Sequence, residues 1–73
     1  MTDFTIKGQA GDSVFLVVPG NDVAAKHLVE NTGPEAQYLG NALAVEHRYI
    51  EHLVHQLAGE GWEIQLPSGT YIN

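Results

Sequence analysis

The chain has 73 residues, no cysteine, and nine carboxylates against Lys7, Lys26 and Arg48, for a formal net charge of −6. That length has room for one domain, 1–73, which buries only about 60% of the surface its unfolded chain exposes and has no disulfide to reinforce it. The negative surface repels phosphate backbones and anionic lipid, which argues against direct nucleic-acid binding, and the longest apolar run, Val14 to Val18, falls far short of the roughly 20 residues that span a bilayer, so no membrane role is expected.

Met1-Thr2-Asp3-Phe4 carries neither a basic n-region nor a long apolar h-region, and nothing requires an oxidising compartment; the expected location is the cytoplasm. Phe4 and Ile6, then Val14, Leu16 and Val18, follow a period of two with Gly8 and Gly11-Asp12 between them, which predicts a β-hairpin. Pro19-Gly20 ends it. Asn21 or Asp22 can then cap a short helix from Val23 to Glu30, closed by Asn31 to Gly33.

Thr32-Gly33-Pro34-Glu35 fits a capping box and predicts the start of a new helix. From there Ala36, Leu39, Leu43, Glu46, Ile50, Leu53 and Leu57 recur at alternating steps of three and four, only Glu46 being polar. Read as one seam, this predicts a helix from Pro34 to Ala58, about 37 Å long, with Gly40-Asn41 as its weak point. Gly59-Glu60-Gly61 terminates it. Trp62, Ile64 and Leu66 alternate with Glu63 and Gln65, Pro67-Ser68-Gly69 supplies a turn, and Thr70-Tyr71-Ile72 returns as a strand, so a second hairpin is expected to close the chain. The predicted fold is α+β: a small antiparallel sheet of two hairpins, in ββααββ order, covered on one face by a short and a long helix. The stretch Leu53 to Ile64 resembles the helix-to-strand turn common in small bacterial domains of unknown function, a resemblance that implies a fold fragment and no activity.

Chemistry is sparse. There is no thiol nucleophile, no G-x-S-x-G elbow, no phosphate-cradling loop with lysine and no nucleotide fingerprint, so neither an enzyme nor a cofactor is expected. His47, Glu51 and His55 succeed each other at i, i+4 and i+8 on one helical ridge, a pattern that could offer two ligands at a time to a divalent transition metal. Eight residues of straight helix span about 12 Å, so the three cannot share one ion, and His27, another carboxylate or a second chain would have to complete the site. As exposed Glu–His pairs they contribute only a few tenths of a kcal/mol each.

The leading expectation is a non-enzymatic protein-binding module that self-associates as a homodimer through the long helix. Its interface residues would be Leu39, Leu43, Glu46, Tyr49, Ile50, Leu53 and Leu57, with Tyr49, off the seam, the first candidate for a partner hot spot. The acidic surface is left free for a basic protein partner. Two alternatives stand beside it: an acidic inhibitor that mimics the charge of nucleic acid, and a metal-binding protein using His47, Glu51 and His55.

Overall fold

The computed structural model describes residues 2–8, 13–33 and 36–73. In chain order they form β1 (Phe4–Lys7), β2 (Val14–Pro19), α1 (Asp22–Asn31), β3 (Gln37–Leu39), β4 (Ala42–Glu46), α2 (His47–Gly59), β5 (Ile64–Gln65) and β6 (Tyr71–Ile72). The six strands make one mixed sheet in the order β3-β4-β2-β1-β5-β6; β1 and β5 run parallel and the other neighbours antiparallel. The α+β class is as expected. The expected order ββααββ is corrected to ββαββαββ, and the all-antiparallel sheet to a mixed one.

The first hairpin and first helix form where local chemistry places them. Phe4 pairs with Pro19 and Ile6 with Val17, all four buried on one face, while Thr5, Lys7, Leu16 and Val18 alternate to the other. Asn21 caps α1, its side-chain oxygen accepting from the Ala24 amide at 2.8 Å, and its Nδ2 donates to Asp3 Oδ1 at 3.2 Å. Gly20, between strand and helix, donates its amide to the Asp3 carbonyl at 2.8 Å, so close that a Cβ there would collide with the Thr2 carbonyl oxygen. Backbone gives way less readily than a side chain. Gly20→Ala is therefore expected to cost about 1–3 kcal/mol in urea denaturation, whereas Gly33→Ala, where an added Cβ meets nothing within 4 Å, stays within about 0.5 kcal/mol of wild type.

The long helix does not form. Thr32 turns its hydroxyl back onto α1, donating to the Leu28 carbonyl at 2.8 Å and pairing with the Tyr38 hydroxyl at 2.8 Å, while Pro34 and Glu35 of the expected capping box lie outside the described residues. Beyond them the chain enters a hairpin: Leu39 pairs with Ala42 across Gly40-Asn41, and Gly40 sits at φ +63. Glycine at the first position of a two-residue loop, with the next residue at negative φ, is the type II′ pattern, whose twist matches that of paired strands. β4 then lies against β2, placing Leu43 opposite Val17 and Val45 opposite Phe15. Two ladders on β2, and the burial of Leu43 between sheet and helices, outweigh the helical period that the same residues also satisfy.

The helix that does form, α2, starts at His47, whose amide donates to the Ser13 carbonyl at 2.9 Å. It ends as its glycines predict. Trp62 N donates to Leu57 O at 3.2 Å and Gly61 N to Ala58 O at 3.0 Å, with Gly61 at φ +95, a Schellman motif. The chain leaves it directly for β1: the Asp3 and Phe4 amides donate to the Glu63 carbonyl at 3.0 and 3.1 Å, and Asp3 Oδ2 accepts from the Glu63 amide at 2.9 Å. This bracket holds β5 parallel to β1. The last hairpin, turning on Gly69 at φ +92, adds β6 at the sheet edge.

Ala24 and Leu28 of α1 and Val54 and Leu57 of α2 form one buried cluster with Phe4, Ile6, Val17, Leu43 and Ile64. Strand alternation places those five strand residues on one face, so both helices cover the same side of the sheet. Among the described residues the other side carries no helix. Among the described residues no helix is long and apolar enough to cross a membrane.

Candidate functional site

The helix-free face follows from the register. One row runs across the sheet through Leu39 and Ala42, then Val18, Thr5, Gln65 and Tyr71. A second runs Gln37, Ala44, Leu16 and Lys7, and Glu46 beside Val14 begins a third. The middle of the face is therefore aliphatic: Val14, Leu16 and Val18 along β2, with the small Ala42 and Ala44 beside them on β4; Val14 is exposed, Leu16, Val18 and Ala44 are half-buried, and Ala42 is buried. Leu39, Val14 and Tyr71 stand 67, 44 and 55% exposed. Polar residues flank this strip, and among the described strand residues of this face the charges are Lys7 and Glu46. An apolar centre with a polar margin is the anatomy of a protein contact surface.

The residues expected at a helical interface are divided by the fold. Leu43 and Leu57 lie in the core, 5 and 2% exposed, and Ile50 and Leu53 pack against that core, so the continuous seam is corrected: these residues do not form one helical stripe. Leu39 belongs to the sheet face instead. Glu46 occupies the N-cap position of α2 without capping it through its side chain, and forms an ion pair with Arg48 at 3.2 Å. Off the seam, Tyr49 could have packed under another element or offered a contact outside the core; it is exposed, with the Arg48 guanidinium 5.0 Å from its ring centroid.

His47, Glu51 and His55 all lie exposed on α2, and the structure brings together only two of them, His55 Nε2 and Glu51 Oε1 at 3.8 Å. Among the described residues no group of three or more His, Asp or Glu side chains converges on a point that could hold a metal. His27, the expected supplementary ligand, is engaged elsewhere. Its ring lies 4.8 Å from that of Trp62, its Nε2 is 3.1 Å from Glu60 Oε1, and Asn31 Nδ2 approaches its Nδ1 at 3.2 Å while also donating to its carbonyl. In the neutral tautomer with its proton on Nε2, that proton faces Glu60 while Nδ1 accepts from Asn31. This knot ties the middle of α1 to the end of α2. It was not legible in sequence, because its members are 33 residues apart.

Glu51 and His55 have one further neighbour, an open groove of about 390 Å³ between α2 and the strand ends, lined chiefly by Ile6, Phe15, Ile50, Val54, Leu66 and Ile72. The groove is apolar, and the two titratable side chains at its mouth are mostly solvated, 86 and 76% exposed. Exposed charges of this kind orient a bound group only weakly.

No family model matches the chain, and comparison with curated proteins and with solved structures finds none that is similar.

Proposed function

We propose that this chain is a protein-binding module and that the helix-free face of its sheet is the contact surface. One observation carries the reading: among the described residues, a six-stranded sheet is covered by helices on one side only, and its other side presents aliphatic side chains in its centre with Lys7 and Glu46 toward its margin. Half-open antiparallel sheets usually alternate apolar inward with polar outward. Here β2 is apolar on both faces, with Phe15, Val17 and Pro19 inward and Val14, Leu16 and Val18 outward. The outward set, exposed at Val14 and half-buried at Leu16 and Val18, leaves apolar surface uncovered, and a contiguous apolar patch is the usual mark of a binding surface. The acidic surface elsewhere keeps the free protein soluble and leaves room for a basic partner beyond the sheet.

The test sets the sheet against the helix. Leu16→Lys on the open face and Tyr49→Ala on α2 are compared with wild type for the proteins each retains, and for self-association, at matched thermal stability. Loss of binding with Leu16→Lys and its persistence with Tyr49→Ala is the expected outcome. Binding that survives Leu16→Lys and disappears with Tyr49→Ala would return the contact to the helix.

A further inference from the structure

Building on the sheet-face reading, we infer that the partner on this face is a second copy of the chain, docked about a twofold axis that runs along β2 in the contact plane. Three observations meet in this arrangement. The first is area. The Cα envelope measures 30 × 29 × 20 Å, and a sheet with one helical layer is about 20 Å thick, so the sheet face is the broad 30 × 29 Å side. At most about 870 Å² per copy, this face is large enough for the roughly 800 Å² per partner that a standard interface buries.

The second is charge. A chain of net charge −6 repels its own copies over most of its surface. Among the described strand residues the open face is the exception, its Lys7 and Glu46 cancelling, so two copies meet less repulsion there. A strongly acidic or basic partner gains nothing from this face.

The third is self-complementarity. An isologous contact requires the patch to fit its own image. Lys7 on β1 and Glu46 on β4 flank β2 at the same end of the sheet, Lys7 beside Leu16 and Glu46 beside Val14. Rotation about an axis along β2 exchanges left and right while keeping position along the strand. It sets β4 of one copy over β1 of the other, so Glu46 meets the partner's Lys7 twice, offset by two residues or about 7 Å, within reach of the two side chains. Glu46 exchanges or shares its exposed Arg48 contact to do so. The same rotation stacks Val14, Leu16 and Val18 on their own images and lays the small Ala42 and Ala44 under the longer Thr5 and Lys7. On the two flanks of the axis small meets large, as close packing of two sheets about 10 Å apart favours.

Sedimentation equilibrium of the full chain from about 1 μM to 1 mM, spanning weak to ordinary homodimer affinities, tests the inference. A wild-type dimer is expected, with Leu16→Lys raising its dissociation constant roughly 30-fold or more, as loss of a central anchor does. Lys7→Glu and Glu46→Lys should each weaken it several-fold, and the double variant Lys7→Glu/Glu46→Lys should recover most of the loss, because the crossed pair is re-formed with reversed signs. Thermal melts of every variant, run alongside, separate unfolding from dissociation. A double variant weaker than either single one would overturn the twofold along β2. A wild type that stays monomeric to about 1 mM would overturn the second copy, and if partner retention still depends on Leu16 in that case, the sheet-face reading stands without it.

Discussion

Phe4→Ala is expected to lower stability by about 3–5 kcal/mol and the melting temperature by roughly 15–30 °C, the largest effect of a single truncation in this chain. Phe4 is fully buried and pairs with Pro19 on one side and Ile64 on the other, so it joins the first hairpin to the strand that returns after α2. Its ring meets the edge of Trp62 at 5.3 Å, and Trp62 in turn stacks on His27 of α1. Removing it opens a cavity where both helices and both halves of the sheet converge. A chain of this length has only about 4–11 kcal/mol of stability in all, so the variant stands near its unfolding threshold. Urea denaturation is the direct measurement; a loss under about 1 kcal/mol would mean that the β1–β5 contact does not bear on the core.

Leu43→Ala and Leu39→Ala are expected to behave very differently, about 2–4 kcal/mol of destabilisation for the first and within about 0.5 kcal/mol for the second, compared at low protein concentration. On a helix through Pro34 to Ala58 these two leucines are neighbours on one seam and should respond alike. In the sheet they point to opposite faces: Leu43 inward, 5% exposed, and Leu39 outward, 67% exposed. The pair of melts therefore reads the register of the β3–β4 hairpin without any further structure. Equal losses at both positions would contradict that register. Leu39→Ala should instead act on association, since its side chain belongs to the open face.

The pattern that misled the sequence reading is specific. Ala36, Leu39 and Leu43 fit a step of three and four, while Leu43 with Val45 and Ala42 with Ala44 fit a step of two equally well. Short apolar runs satisfy both periods, and their length is then the arbiter. Gly40-Asn41 was the available signal. Inside a helix it is a cost of up to about 1 kcal/mol, whereas between two apolar runs Gly-Asn is hairpin chemistry, and the positive φ of Gly40 is what the second reading requires. From the site, the pairing of Glu51 with His55 was legible, because it depends only on positions along one helix, whereas helix position alone left Tyr49 either packed under another element or exposed. The His27–Glu60–Trp62 knot and the open sheet face were not, since each joins residues from separate elements.

What the sequence determined by itself was everything carried by short-range chemistry. It specified the first hairpin by alternation, α1 by Asn21, the end of α2 by Gly59 to Gly61, and the last turn by Pro67 to Gly69. It also specified a charge balance that the fold could only distribute. Each of these is decided by a few neighbouring backbone conformations or by composition, with no need of distant partners. The tertiary structure decided the middle of the chain and the candidate contact surface. Residues 37–46 became strands because β2 offered a second edge to pair with, and Leu43 a core to enter. The aliphatic strip became a surface because both helices pack on the same side of the sheet. A strand's two faces are equivalent along the chain, and only the placement of other elements makes one of them the interior.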